Sequence, residues 1–312
     1  MRLAFTKCHG SGNDFVLVDG RRLSLSDAAW GRVARTLCER GGPVGADGLL
    51  LLGEGGDGAQ FAQKVVNADG SIPETCLNGL RCTARAGFEL LGIEAATVTL
   101  KTSDAQVSRD ADLARGVYTV RTTVGPASTD PQAAGINVAA PVIEAPVPGL
   151  PSARKFTAVA MPNPHLVTFV DNVDVAELTA LGDWCEAGPE LLADRANVSF
   201  VELRADGLFV HTYERGVGLT NACGTAMGAA THVAGLTGRI PFGQWITVHN
   251  PGGRVKARAE GPAGDDAVTL AGNATFEWDG EIEVDPATGE AGALNVTRRR
   301  DDEVAAWVAL RG

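Results

Sequence analysis

The chain carries ETCLNGLRC at residues 74–82 and TNACGTA at residues 220–226, and these two stretches are the most informative feature of the sequence. In each stretch a cysteine, Cys76 or Cys223, precedes a glycine-containing run of helical character. A helix N-terminus presents backbone N–H groups without partners inside the helix, together with the positive end of the helix dipole. This environment favours a thiolate and attracts a carboxylate, so the sequence predicts a matched pair of reactive cysteines.

Strand and helix patterns surround both cysteines. Helices are predicted over residues 27–40, with Ser26 as the N-cap, and over residues 78–91 and 225–236, directly after the two cysteines. Apolar runs bounded by turn residues predict strands at residues 15–18, 49–52, 96–100, 116–120, 166–170 and 198–201. Each half of the chain therefore combines strands with one cysteine-led helix, which favours two related α/β domains.

Two segments fall outside this pattern. Residues 139–152 contain four prolines and predict an extended loop near the start of the second half. Residues 295–312 begin with a charged segment and continue into an Ala/Val/Trp stretch. We expect this tail to form a short amphipathic helix and to be a solvated end that docks on the surface.

Composition limits the classes of function. A length of 312 residues with 45% hydrophobic residues is enough for two domains that each have a core. The net charge of −11 disfavours binding to nucleic acids or to anionic membranes. The first residues carry no apolar signal core and no apolar stretch approaches the length that spans a bilayer, so we expect a cytoplasmic protein.

Most of the cysteines have a simple structural interpretation. Six cysteines are too sparse for a disulfide scaffold in a chain of this length. Four of them are predicted to be small buried apolar side chains: Cys8, Cys38, Cys82 and Cys185. The scattered histidines give no metal-ligand spacing, and phosphate-loop and dinucleotide motifs are absent, so we expect neither a metal nor a cofactor.

Polar motifs precede both reactive cysteines. NADGS at residues 67–71 comes before Cys76, and YERGVG at residues 213–218 comes before Cys223. A guanidinium such as that of Arg215 is suited to a bidentate pair with a carboxylate, and the carboxylate of Glu214 is suited to an ammonium. This set of groups fits a zwitterionic amino acid as substrate.

Taken together and in order, the motifs resemble the diaminopimelate epimerase family. The resemblance rests on KCHGSGNDF at residues 7–15, NADGS at 67–71, the two cysteine stretches, NPH at 163–165, NV at 197–198, ERGVG at 214–218, PGG at 251–253 and FEWDGEI at 276–282. It covers nearly the whole chain and leaves only the tail outside.

The resemblance implies an isomerase that works without a cofactor and interconverts LL- and meso-2,6-diaminopimelate, a step in lysine and peptidoglycan precursor biosynthesis. The implied fold is α/β (α+β), with two similar domains, each a mainly antiparallel strand barrel wrapped around a central helix. The active site would lie in the interdomain cleft. The first domain would comprise residues 1–124 plus 278–312 and the second residues 125–277, and the family relation suggests a homodimer.

The resemblance also assigns roles to individual residues. Cys76 and Cys223 would be the catalytic acid/base pair, one removing the α-proton and the other supplying a proton on the opposite face. His165 would support the site without replacing a cysteine as base. The substrate-binding residues would be Asn13, Asn67, Leu77, Asn78, Gly79, Asn163, Asn197, Glu214, Arg215, Gly224 and Thr225.

Departures from the family pattern leave alternatives open. The family commonly has glycine at the position of Leu77 and glutamate at the position of Leu219. A branched side chain at a helix N-terminus, close to the reacting carboxylate, would narrow the pocket. The alternatives are an epimerase or racemase of the same fold that acts on another amino acid, and a non-catalytic relative that binds an amino acid.

Overall fold

The computed structural model describes residues 1–73, 76–161, 163–262 and 266–311. Its elements, in chain order, are β1 (Arg2–Gly10), β2 (Asn13–Asp19), α1 (Asp27–Cys38), β3 (Gly48–Glu54), β4 (Phe61–Asn67), α2 (Leu77–Leu91), β5 (Ala95–Thr99), β6 (Asp104–Asp110), β7 (Thr119–Val124), β8 (Ala145–Pro146), β9 (Lys155–Ala160), β10 (Pro164–Val170), α3 (Val175–Glu186), a 3₁₀ turn (Glu190–Leu192), β11 (Asn197–Arg204), β12 (Gly207–Glu214), β13 (Gly218–Thr220), α4 (Gly224–Leu236), β14 (Ile246–Asn250), β15 (Gly253–Ala259), β16 (Val268–Asn273), β17 (Thr275–Glu283), β18 (Asn295–Arg299) and α5 (Asp301–Arg311).

The chain divides into two units, and the first comprises Met1–Thr122 with Gly272–Gly312. Its strands follow the order β18-β17-β1-β2-β3-β4-β5-β6-β7. Neighbouring strands are antiparallel except β2/β3 and β4/β5, which are parallel. Parallel neighbours need a crossover connection, and helices α1 and α2 supply the two crossovers.

The second unit, Thr123–Ala271, repeats this plan. Its strands follow the order β8-β9-β10-β11-β12-β14-β15-β16, and β13 folds back on β12. Here β10/β11 and β12/β14 are the parallel pairs, and α3 and α4 supply the crossovers. The predicted α+β fold with two similar, mainly antiparallel domains is therefore confirmed.

The cysteine-led helices α2 and α4 are the central helices of the two units. Helix α2 contacts strands β1 to β6, and α4 contacts β9 to β12 and β15. Helix α4 is buried from Gly224 to Gly235, which its many small residues permit. In α2, a Cβ at Gly87 would lie 2.5 Å from the Phe61 ring, so glycine allows the helix to approach β4 closely.

The strands of the first unit are covered on both faces. Val16, Val18 and Leu49 belong to the apolar cluster around α1. Phe15 and Leu17, which alternate with them, belong to the cluster that includes Cys82 of α2. A strand buried on both faces has a continuous apolar sequence without polar alternation, which is why these runs are recognisable in the sequence.

Most of the predicted elements are confirmed. Ser26 caps α1 by accepting a hydrogen bond from the Ala29 amide, and α2 and α4 begin one residue before the predicted starts. The strand predicted at residues 116–120 is wrong in its first half, because Gly116 has a φ of 81° in a turn and β7 begins at Thr119. Within the described part of the chain, no helix has both the length and the apolar character needed to cross a membrane.

The tail is more firmly packed than the sequence suggested. The predicted helix exists as α5, but Trp307 and Leu310 are buried against Val117 in an apolar cluster. The Glu303 carboxylate accepts hydrogen bonds from both terminal nitrogens of Arg85 on α2, at 2.5 and 2.8 Å. Helix α5 is therefore part of the first unit and is tied directly to its central helix.

Candidate active site

Cys76 is the N-cap residue of α2. Its backbone is extended, with φ −142° and ψ 107°, and its carbonyl accepts the first helical hydrogen bond from the Leu80 amide at 2.8 Å. The thiol is half-buried, and its sulfur lies 3.6 Å from Oδ1 of Asn13. Partial exposure next to the amides of a first helical turn is the setting of a reactive cysteine.

Asn13, the first residue of β2, links this thiol to a group of charges. Its Nδ2 donates to the Asp47 carboxylate at 2.6 Å, which fixes the orientation of the amide. Its Oδ1 then faces Cys76 and also lies 3.5 Å from Nδ2 of Asn78. Arg40 pairs with Asp47, so this carboxylate is partly neutralised.

The other candidate residues of the first unit lie at the start of α2 or nearby. Leu77 and Asn78 are buried in the first turn of the helix. Gly79 packs closely against β3, because a Cβ at this position would lie 2.7 Å from a methyl carbon of Leu50. Asn67 ends β4, and its side chain donates to the Ser71 hydroxyl at 2.9 Å. The structure thus brings Asn13 and Asn78 to Cys76.

A buried polar network lies behind the Cys76 turn, and sequence reasoning missed it. Arg81 donates from Nη2 to the Ser11 hydroxyl at 2.9 Å and to Oδ1 of Asn78 at 3.0 Å, and from Nε to the Asn273 carbonyl at 3.0 Å. Asn273 also accepts a hydrogen bond from the Ser11 amide at 2.7 Å. The position of Arg81, five residues after Cys76, was the only available sequence signal, since Asn273 is far away in the chain.

Cys223 occupies the equivalent position in the second unit. It is the N-cap residue of α4, with φ −115° and ψ 114°, and its carbonyl accepts from the Met227 amide at 3.0 Å. Its sulfur lies 3.4 Å from the Thr225 hydroxyl. Burial raises the pKa of this thiol well above its usual range, and the neighbouring Glu214 carboxylate raises it further.

Glu214 ends β12, and the chain then turns back through Gly216 and Gly218, which have φ values of 74° and 100°. The returning strand β13 places the Thr220 hydroxyl 2.5 Å from the Glu214 carboxylate. Burial raises the pKa of Glu214, and hydrogen bonds from Thr220 and Cys223 oppose this shift. The second unit therefore places a carboxylate beside its cysteine, together with Thr225.

A second polar group lies on the neighbouring strands. Strands β10 and β11 are parallel neighbours, and His165 lies opposite Asn197 in their pairing. His165 Nε2 lies 3.1 Å from Oδ1 of Asn163, and Asn197 accepts a hydrogen bond from the Arg215 amide at 2.9 Å. Burial, assisted by the Arg215 charge, lowers the pKa of His165 to about 3. The imidazole is therefore neutral and buried, in a position that supports its neighbours.

The Arg215 side chain is anchored separately, because its Nη1 donates to the Asp194 carbonyl at 2.9 Å. Gly224, the first residue of α4, is buried directly after Cys223. The structure thus brings Glu214 and Thr225 to Cys223, and joins Asn163, His165 and Asn197 to the Arg215 backbone. The four cysteines predicted to be structural, Cys8, Cys38, Cys82 and Cys185, are all buried as expected.

Comparison with known proteins finds sequence relatives over most of the chain. The family model described as diaminopimelate epimerase matches residues 5–126 and 157–277. The chain is 37% identical over 294 residues to the diaminopimelate epimerase of Listeria innocua, covering 91% of this chain and 89% of that one. It is 39% identical over 296 residues to the diaminopimelate epimerase of Lactiplantibacillus plantarum, covering 88% of each.

A solved structure shows the same fold at much lower sequence identity. The phenazine biosynthesis protein of the PhzF family from Bacillus anthracis matches with a TM-score of 0.66 and 14% identity, covering 91% of this chain and 100% of that one. At this identity the match is evidence for the fold alone.

Proposed function

The chain belongs to the diaminopimelate epimerase family, and we propose that it interconverts LL- and meso-2,6-diaminopimelate with Cys76 and Cys223 as its acid/base pair. The observation that carries this proposal is that both units have the same feature at the start of their central helix. In each unit a cysteine is the N-cap residue of the central helix. Two helix N-termini with thiols fit a reaction that inverts one carbon of an anionic substrate.

The chemistry explains why two thiols are needed. The α-hydrogen of an amino acid is a very weak acid, so a positioned base and stabilisation of the developing negative charge must act together. One thiolate removes the proton from one face, and the opposite thiol delivers a proton to the other face, which inverts the centre. The amides of the first turns of α2 and α4 supply donors for the reacting carboxylate. The reverse reaction exchanges the two roles.

Substrate selectivity comes from groups that the wrong ligand leaves unpaired. In this proposal Arg215 and Glu214 take the carboxylate and the ammonium at one end of the substrate, and amide side chains take the remaining polar groups. The anchoring of Arg215 through the Asp194 carbonyl and through Asn197 supports a fixed role. The other proposed substrate contacts are Asn13, Asn67, Leu77, Asn78, Gly79, Asn163, Gly224 and Thr225.

Incubation with LL-diaminopimelate in deuterated water tests the function. We expect meso product that carries deuterium at the inverted α-carbon. Mass spectrometry measures the deuterium, and chiral chromatography identifies the meso isomer. Cys76→Ser and Cys223→Ser should each lose epimerisation and keep most of the substrate binding, whereas Cys185→Ala, a buried cysteine of α3, should remain active. No deuterium uptake from diaminopimelate, combined with turnover of another amino acid, would contradict the proposed substrate. Unchanged activity in both serine variants would contradict the two-cysteine mechanism.

We also propose that residues 1–124 with 278–312 and residues 125–277 are the two functional domains, and that the enzyme is a cytoplasmic homodimer. The family relation supports the dimer. Light scattering coupled to size-exclusion chromatography measures the oligomeric state. A mass close to that of one chain, 32.3 kDa, over the working concentration range would contradict the dimer.

A further inference from the structure

Arg81 is a buried cation of an unusual kind. Its side chain is fully buried, and among the described residues no carboxylate forms an ion pair with it. Its Nη1 has no hydrogen-bond partner within the same part of the chain. Arg85, one turn later, has two carboxylate partners, Glu89 and Glu303. Because an isolated buried charge is costly, a position that retains one calls for an explanation.

The contacts of Arg81 lead to Cys76. Its Nη2 donates to Oδ1 of Asn78, and Nδ2 of Asn78 donates to Oδ1 of Asn13 at 3.5 Å. The Cys76 thiol donates to that same oxygen at 3.6 Å. The same Nη2 of Arg81 also donates a hydrogen bond to the hydroxyl of Ser11. Ser11 has a φ of 54° and lies in the turn that leads into Asn13. Arg81 therefore holds both segments that meet at the Cys76 thiol, the β1–β2 turn and the first turn of α2.

The other charges on this side of the unit are neutralised locally. On β1 and β2, Lys7 donates to Asp14, and Arg40 donates to both Asp14 and Asp47. Burial lowers the pKa of His9 to about 4, so its imidazole is neutral. The thiols of Cys8 and Cys82 are buried. Glu277 on β17 is half-buried, and burial raises its pKa. On the other strands that contact α2, Lys64 pairs with Asp27, Arg109 with Asp112 and Asp110 with Arg121. Arg2 pairs with Glu281 and Asp19 with Arg21, and Glu54 and Asp104 are exposed at strand ends.

Cys223 has surroundings of the opposite sign. It is buried, and the carboxylate beside it belongs to Glu214. We propose that Arg81 is a positioning residue that acts as the buried counter-charge of Cys76, so that Cys76 ionises before Cys223 as the pH rises. The meaning of this asymmetry for catalysis rests on the proposed function. Burial lowers the pKa of Arg81 only to about 10, so the guanidinium stays charged at neutral pH.

The wild-type protein provides the first test. Alkylation by iodoacetamide, followed peptide by peptide with mass spectrometry from pH 5 to 10, gives an apparent pKa for each thiol. We expect Cys76 to titrate at least about one unit below Cys223. A value for Cys223 equal to or below that of Cys76 would overturn the proposal, whether or not any variant folds.

Variants then test the role of the charge itself. Arg81→Met should raise the apparent pKa of Cys76 by about one unit and slow its alkylation at pH 7 about tenfold, because the counter-charge is lost. Arg81→Lys keeps the charge and should keep most of the shift. Arg85→Met is the matched control, since it removes a buried arginine of the same helix whose charge is already paired.

The outcome for Arg81 can be separated from the outcome for the proposed function. An unchanged Cys76 titration in folded Arg81→Met, or an equal shift in Arg85→Met, would refute the counter-charge. In Arg81→Met, we also expect the acidic limb of the pH profile of kcat/KM to move to higher pH by the same amount as the apparent pKa of Cys76. A protein that shows the thiol asymmetry but does not turn over LL-diaminopimelate would refute the function and leave the role of Arg81 intact.

Discussion

Gly10, at the end of β1, is the position where a single methyl group should disturb the Cys76 site most directly. A Cβ at this residue would lie 2.5 Å from the Asn78 carbonyl oxygen and 2.9 Å from Nη2 of Arg81. The first of these atoms is backbone in the first turn of α2, so it cannot move away by a change of rotamer. Gly10 does not have a positive φ, so Gly10→Ala tests this close approach without backbone strain.

The magnitude follows from the distance. To reach an ordinary contact of 3.4 Å, β1 and the start of α2 must separate by about 0.9 Å. Overpacking of this kind costs up to about 3 kcal/mol, and the reduced entropy of the unfolded chain returns about 0.4–1 kcal/mol. We therefore expect a loss of about 2 kcal/mol in the free energy of unfolding. A displacement close to 1 Å at a catalytic group also predicts a loss in kcat/KM of about 100-fold.

Urea unfolding monitored by circular dichroism, together with the deuterium exchange assay, measures both effects. Gly41→Ala is the matched control, because nothing lies within 4 Å of a Cβ at that exposed position. It should change the free energy of unfolding by no more than about 1 kcal/mol and leave activity unchanged. If Gly10→Ala were as stable and as active as the control, the close approach of β1 to the Cys76 turn would be refuted as a determinant of the site.

Two further perturbations concern the charges of the first unit. Burial would raise the pKa of Asp14, but Arg40 and Lys7 outweigh it and hold this pKa well below its usual range. Asp14 therefore stabilises the fold above its unfolded pKa of about 3.9, and this contribution is lost as pH falls below that value. In urea unfolding, the stability difference between wild type and Asp14→Asn should be large at pH 7 and should shrink at pH 3; a difference independent of pH would contradict this account. Glu303→Gln removes the partly buried charge that α5 offers to Arg85 and should cost about 2 kcal/mol. Glu260→Gln, at an exposed pair with Arg258, should cost less than about 0.5 kcal/mol, and equal losses would show that α5 contributes no special stability.

The sequence was sufficient to predict the elements whose physical cause is local. The N-cap at Ser26, the helices after the two cysteines and the apolar strands of β2 and β3 all follow from short-range patterns. Helix α3 was not predicted, although Asp174 caps it by accepting hydrogen bonds from two amides. Its sequence combines a weakly amphipathic run with a glycine at position 182, where the Tyr213 ring packs so closely that a Cβ would lie 2.1 Å away.

The parts of the site that sequence reasoning missed depend on contacts between distant residues. Asn273 forms hydrogen bonds with Ser11 and Arg81, which lie far away in the sequence in the β1–β2 turn and on α2. Trp307, from the tail, contacts His9 in a tilted arrangement, with ring centroids 5.2 Å apart. No local pattern distinguishes these residues from ordinary polar or apolar positions. The family resemblance did not help with the tail, because it ends before α5 begins.

The contrast between a repeated fold and unequal charges has a chemical consequence. The two units place their cysteines at equivalent N-caps, so the backbone alone would give both thiols similar electrostatics. An acid/base pair needs one thiol and one thiolate together, and two thiols with equal pKa values would spend much of their time both protonated or both ionised. Burial and the Glu214 carboxylate raise the pKa of Cys223, and in our proposal Arg81 is the buried charge near the start of α2 that favours ionisation of Cys76. Side chains therefore supply a difference that a duplicated backbone cannot supply. In this proposal, enzyme with Cys76 ionised and Cys223 protonated begins the reaction in one direction, and the reverse direction begins from the opposite protonation state.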